Sequence, residues 1–175
     1  MKTRELCYIA MFAAIIAVCA QIAVPQPSGV PFTLQTWAIA LAGLVLGAKN
    51  GTIATLVYVF LGACGAPVFS NFSGGIGVIL WRTGGFIVSF PAVAFLAGLG
   101  AKKGKTVWVL LGLAAGTVIN LSVGLFWFDF VTGFGLETSF GFAVAPFIFV
   151  SVVQTAVLPA IGKKIRVALQ KAGLY

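Results

Sequence analysis

The sequence has no histidine, only three acidic residues and only three cysteines. Without histidine, a Cys/His metal site and much of general acid–base catalysis lose their usual residue. Cys7, Cys19 and Cys64 form no CxxC pair, so neither a redox motif nor a disulfide framework is expected. They read as small apolar residues in helices. Asp129 and Glu137 stand eight residues apart with no motif around them, no serine lies in a nucleophile motif, and no phosphate-binding glycine loop precedes a Lys-Ser/Thr pair. The expectation is a protein that is not an enzyme and that carries no metal or cofactor. Buried acids, which a proton- or sodium-coupled carrier uses in its helices, are also scarce.

Charge is the other shortage. Only 8% of residues are charged and 61% are hydrophobic, against about 25% charged in a soluble domain. A chain this short cannot hide so much apolar surface in its own interior, which leaves lipid as its solvent. No polar tract is long enough for a second, soluble domain, so residues 1–175 read as a single transmembrane domain. The net charge of +8 therefore points to membrane topology and not to a nucleic-acid partner.

Apolar runs of about 20 residues mark spanning helices. Six emerge, over about Cys7–Val24, Phe32–Gly47, Gly51–Pro67, Gly85–Leu99, Thr106–Phe128 and Gly141–Ile161. The basic-then-apolar start resembles a signal peptide, with Val18-Cys19-Ala20 as a passable cleavage site. Cleavage would leave five spans and undo the charge pattern, so residues 7–24 are read as a retained first helix. With the N-terminus inside, Lys2, Arg4, Lys49, Lys102, Lys103, Lys105, Lys163, Lys164, Arg166 and Lys171 all fall inside, ten of the eleven basic residues. Only Arg82 falls outside, together with Asp129 and Glu137. Basic loops stay in the cytoplasm during insertion. The expected fold is an all-α bundle of six transmembrane helices in the cell membrane, with N- and C-termini both cytoplasmic.

The outside loops are longer than the inside ones and rich in Gly, Pro, Ser and Asn. Residues 25–36 and 66–85 read as lids over an outward-facing pocket. Ser73-Gly74-Gly75 and Thr83-Gly84-Gly85 allow either close approach of backbone to a ligand or tight turns. Arg82, between the glycine pairs, is placed to hold a carboxylate or to snorkel to headgroups or pair with Asp129 or Glu137. The polar side chains available to a pocket are few, among them Thr33, Gln35, Tyr58, Asn71, Ser73, Arg82, Asn120, Ser151 and Gln154. In the first helix, Ala10 with Ala14 and Ala13 with Ala17 form small-xxx-small faces suited to helix docking or to packing within the chain.

Val30-Pro31-Phe32-Thr33-Leu34-Gln35-Thr36, Leu41-Ala42-Gly43-Leu44-Val45-Leu46-Gly47, Tyr58-Val59-Phe60-Leu61-Gly62-Ala63, Pro67-Val68-Phe69, Ser73-Gly74-Gly75-Ile76-Gly77-Val78 and Thr83-Gly84-Gly85-Phe86 together resemble the BioY family. These are the biotin-binding S components of energy-coupling-factor (ECF) transporters. Order and spacing agree over about residues 1–100. The resemblance implies high-affinity vitamin capture from outside, with release driven by a membrane coupling subunit and two ATPase subunits that hydrolyse the ATP. It implies docking through Ala10, Ala13, Ala14 and Ala17, and leaves homo-oligomers and solitary function open. It implies a substrate site drawn from Thr33, Gln35, Trp37, Tyr58, Asn71, Ser73, Gly74, Arg82, Ser151 and Gln154. The family's last helix usually carries an Asp and a Lys that contribute to biotin binding. Here Ile148 and Ser151, or Ser151 and Gln154 in the shifted register, stand in their place. Another small carboxylate vitamin, such as lipoate, is the alternative ligand.

Overall fold

The structure is a computed structural model and describes residues 3–171; Lys2 lies outside the described residues. It is nearly all helical. The helices are α1 (Thr3–Gln21), α2 (Gln35–Ala63), α3 (Ile76–Leu80), α4 (Gly84–Lys102), α5 (Thr106–Thr132), α6 (Leu136–Ala143) and α7 (Ala145–Lys171). Two short strands, β1 (Ala23–Val24) and β2 (Phe32–Thr33), pair antiparallel and close the Pro25–Pro31 loop. A single 3-10 turn covers Ser70–Phe72.

Among the described residues, five helices are long and apolar enough to cross a membrane: α1, α2, α4, α5 and α7. Their outer faces carry large apolar side chains in the open, Phe60, Phe95, Phe126 and Phe149 among them. In water such a surface would drive aggregation, whereas in hydrocarbon it is the solvated face.

α2 is not one rod. Gly47 takes φ 81° and ψ 172°, a conformation close to glycine-only, and the chain doubles back there. A methyl group on Gly51 would sit 2.7 Å from the Gly43 Cα, whereas eight residues along a straight helix span about 12 Å. The expected loop Ala48-Lys49-Asn50 thus shrinks to one residue, and the helix resumes at once. Elsewhere, the first helix ends at Gln21, because residues 23–24 turn into strand. The stretch from about Asp129 to Phe140, expected as a third outer loop, instead carries the end of α5 and most of α6. The last helix runs to Lys171, nearly three turns past the expected Ile161, which puts its basic residues on the helix itself.

The core is layered around α4. Ala94 seats directly on Gly43, Gly98 on Ala48, and Gly85 on Trp127, so α4 is wedged between α2 and α5 with backbones nearly touching. Phe86, Ile87, Phe90, Val93, Ala94 and Ala97 of α4 are buried against Ala38, Ile39, Ala42 and Val45 of α2. α1 covers α2 with Ile9, Phe12, Ala13, Ile16 and Ala20. The two ends of the bundle differ. At one, Ala48 lies beside Gly98, and Arg166 donates to the Ala101 carbonyl at 3.2 Å. This gathers Lys49, Lys102, Lys103 and Arg166. At the other, Gln21 receives the Phe72 N–H at 2.8 Å, and the Trp127 indole N–H donates to the Trp81 carbonyl at 2.9 Å. Arg82 belongs to that second end.

Candidate ligand-binding site

A cavity opens at the Arg82 end of the bundle. The space between its walls, with the open solvent at its mouth included, is about 830 Å³. Three of the long helices, α4, α5 and α7, each lend it one face at helical spacing. α4 supplies Phe86, Ile87, Phe90 and Val93. α5 supplies Thr117, Asn120 and Leu121. α7 supplies Phe147, Val150, Ser151 and Gln154. The first turn of α2 adds Gln35 and Thr36, the hairpin Val30, Pro31, Phe32 and Thr33, and the loop after α2 Phe69 and Ser70; Thr83 completes the rim.

The walls are aromatic. The Phe147 ring packs on Phe32 at 4.5 Å between centroids and on Phe86 at 6.1 Å, tying α7 to the hairpin and to α4. None of the residues lining the cavity is ionisable.

Three side-chain amides enter this apolar space, and two are engaged by protein. Gln154 Nε2 donates to the Thr36 carbonyl at 3.1 Å. Asn120 Nδ2 donates to the Phe86 carbonyl at 3.0 Å and to Ser89 Oγ at 2.8 Å; Ser89 in turn donates to the Gly85 and Phe86 carbonyls. The third differs. Gln35 is 4% exposed, and among the described residues its Nε2 has no hydrogen-bond partner. A buried N–H without an acceptor costs roughly 1–3 kcal/mol, so Gln35 is the amide at the cavity whose bonding the described residues do not account for.

Of the residues the sequence singled out, Thr33, Gln35, Asn120, Ser151 and Gln154 meet at this cavity. Ile148 is 45% exposed and off it, so in the last helix the cavity positions are Ser151 and Gln154. Asn71 and Ser73 line a shallower cleft just outside, which shares Pro31, Ser70 and Thr83 with the cavity wall. Arg82 sits over the hairpin loop beside that cleft. Its Nη1 donates to the Ser28 carbonyl at 3.4 Å, and its guanidinium lies 5.4 Å from the Trp81 ring centroid. Tyr58 is fully buried behind the wall, its hydroxyl donating to the Val68 carbonyl at 3.2 Å and its ring edge-on to Phe69. Trp37 is partly buried against the core, and Gly74 lies against the Ala66 carbonyl; neither lines the cavity. The paired Gly84 and Gly85 admit Trp127 and the Ile79 carbonyl, which is contact with protein.

The aromatic wall of Phe32, Phe86, Phe90 and Phe147 was not singled out from sequence. Phenylalanine is common here, with 16 in the chain, and periodicity does not separate a cavity face from a lipid face. Thr36 and Thr117 were hidden for the same reason. Of the expected docking alanines, Ala10 and Ala14 are exposed on α1, whereas Ala13 is buried and Ala17 partly buried against the core.

A polytopic helical membrane protein with a charge-free, aromatic ligand cavity at one end is therefore the class that fold and site define. The sequence model of the BioY family matches residues 1–171, and the chain belongs to that family. Among its relatives, the probable biotin transporter BioY of Pyrococcus horikoshii is 43% identical over 95% of this chain and 98% of that protein. The biotin transporter BioY of Thermotoga maritima is 38% identical over 93% and 96%. The crystal structure of the S-component for biotin from an ECF-type ABC transporter superposes with a TM-score of 0.81 at 28% identity, covering 95% of this chain and 94% of that one.

Proposed function

We propose that this chain is the biotin-capture (S) component of an ECF-type importer in the plasma membrane. The observation that carries the reading is the unpartnered Gln35 amide in a charge-free, phenylalanine-walled cavity. Biotin offers what that cavity needs. Its ureido carbonyl is an acceptor for Gln35 Nε2, and its bicyclic body and aliphatic tail are apolar surface for the phenylalanines, with burial contributing roughly 25 cal/mol per Å². Its carboxylate would remain near the mouth, within the sphere of Arg82. The ureido N–H groups need acceptors, for which the Ser151 hydroxyl, the Thr33 hydroxyl and the Gln154 side-chain carbonyl are the lining groups of the right kind.

Six crossings with both ends inside follow if the two arms of α2 each count as a crossing. The Gly47 reversal and the collection of Lys49, Lys102, Lys103 and Arg166 at one end support that count. The cavity then opens to the outside.

The likeness to the S-component of an ECF-type ABC transporter supports ATP hydrolysis by two partner ATPases, coupled through a partner membrane subunit that docks on the exposed Ala10–Ala14 face of α1. The chain itself works without a cofactor. The test is titration of the purified full-length chain with biotin and with lipoate by calorimetry, with mass spectrometry of what co-purifies. Tight biotin binding is expected. Preference for lipoate would reassign the substrate, and saturable binding of neither would remove the capture role. Uptake into liposomes by the chain alone would replace the partner-driven account.

A further inference from the structure

Gln21, the last residue of α1, is polar, partly buried, and not among the residues that line the cavity. Its amide nevertheless spans a gap to the loop that follows α2. Nε2 donates to the Phe69 carbonyl at 3.0 Å and to the Val68 carbonyl at 3.3 Å, and also back to Ala17 at 3.1 Å. Oε1 accepts the Phe72 N–H at 2.8 Å. One side chain thus engages three residues of one loop.

That loop needs holding. Asn71 and Phe72 take φ 57° and φ 54°, consecutive left-handed conformations that residues with side chains adopt at a cost. Phe72 also leaves its ring 73% exposed. The reward of the turn is the placement of its neighbours. Phe69 is driven 1% exposed into the cavity wall, its ring seated on Gly62 and edge-on to Tyr58, and Ser70 joins it there. On the far side, Tyr58 donates to the same Val68 carbonyl that Gln21 reaches.

We propose that Gln21 is a latch. It is a positioning residue that touches no ligand but holds the strained 68–72 turn, and with it Phe69 and Ser70, in place as the wall of the cavity. The latch ties that wall to α1 and not to the helices that form the rest of the site. Phe69 is thus held from two sides, at its carbonyl by Gln21 of α1 and at its ring by Tyr58 and Gly62 of α2. The ligand half of this proposal rests on the biotin-capture reading; the holding of the turn does not.

The test uses the full chain in lipid nanodiscs, with the variants Gln21→Leu, Gln21→Glu and Phe69→Leu. The near-isosteric Gln21→Glu keeps an acceptor for Phe72 and loses both donors. Without ligand, hydrogen–deuterium exchange over residues 68–75 should rise in both Gln21 variants while α4 and α5 stay protected. With biotin, dissociation should become about tenfold faster, the loss of one net hydrogen bond. Gln21→Leu should add little once Phe69 is already Leu, because the effect runs through Phe69. Unchanged exchange of the turn would overturn the latch. So would unchanged dissociation from a wild-type protein that binds biotin, or full additivity with Phe69→Leu. A wild-type protein that binds no biotin would instead overturn the capture reading, and the exchange result alone would then decide the latch.

Discussion

The Gln154 side chain donates to the Thr36 carbonyl 3.1 Å away, joining the last helix to the first turn of α2 across 118 residues of chain. The Thr36 carbonyl lies one residue from Gln35, whose own Nε2 has no hydrogen-bond partner among the described residues. Two glutamines therefore enter one cavity with opposite assignments. Gln154 closes the bundle, and Gln35 Nε2 makes no such bond to the described residues.

That difference separates stability from binding. Gln35→Leu removes a buried donor that has no acceptor among the described residues, so the variant should be as stable as wild type or more stable, by up to about 1 kcal/mol. Its biotin affinity should fall about tenfold or more, the loss of one hydrogen bond to the ligand. Thermal denaturation beside calorimetric titration reads both. A lower melting temperature with unchanged affinity would place Gln35 in the scaffold.

Asn120 makes the opposite case. It joins α5 to α4 through the Phe86 carbonyl and Ser89. Interhelical hydrogen bonds within membranes measure about 0.6 kcal/mol, reaching about 1.7, so Asn120→Ala should destabilise by about 1 kcal/mol beyond the loss of side-chain packing. Ser89→Ala should cost less, and the double variant should cost less than the sum of the two. Additive melting shifts would mean that the Asn120–Ser89 bond contributes nothing in lipid.

How much of this was readable beforehand depends on whether one residue type had one meaning. Charge did: Lys49, Lys102 and Arg166 share an end of the bundle, and Arg82 is opposite, as their spacing along the chain implied. Gln35, Ser151 and Gln154 stood out because polar residues are rare in these helices. Phe86 and Phe147 did not, since a phenylalanine facing a cavity has the same sequence signature as Phe126 or Phe149 facing lipid. Tyr58 looked like a ligand contact because it is an aromatic with a hydroxyl. Its hydroxyl is instead donated to Val68, a backbone carbonyl that no pattern in the sequence indicates. The reversal at Gly47 was visible as a break but not as a one-residue turn, because its backbone angles are a tertiary outcome.

Orientation is open to chemical labelling. In a background where Cys7, Cys19 and Cys64 are serine, Lys49→Cys should resist a membrane-impermeant maleimide applied to intact cells, and Arg82→Cys should react. Reaction of both from the same side would rule out an odd number of crossings between them and with it the six-crossing count.

The two small-residue pairs of α1 should separate cleanly. Ala13 is 5% exposed and faces the core, so Ala13→Trp overpacks it and should destabilise the chain by about 1–3 kcal/mol. Ala14 is exposed, so Ala14→Trp should leave melting and biotin binding intact while uptake in cells carrying the partner subunits is lost. Normal uptake with Ala14→Trp would move the docking surface off this face.

Arg82 is held lightly for a lone cation at its end of the bundle. Its contact with the Ser28 carbonyl is long at 3.4 Å, and the Trp81 ring beneath it is 59% exposed. A carboxylate arriving at the cavity mouth would offer it a charge-assisted pair, stronger than the bond it gives up. Solvent at the mouth screens that pair, so its contribution stays near the low end of the ~1.5–3 kcal/mol typical of hydrogen bonds to charged groups. Arg82→Gln should therefore weaken biotin binding about tenfold and leave the affinity for the neutral biotin amide nearly unchanged, with the difference shrinking as salt is raised. Titration of both ligands against both proteins at two ionic strengths measures this. Equal loss for acid and amide would assign Arg82 to holding the hairpin loop through Ser28 and not to the ligand's tail.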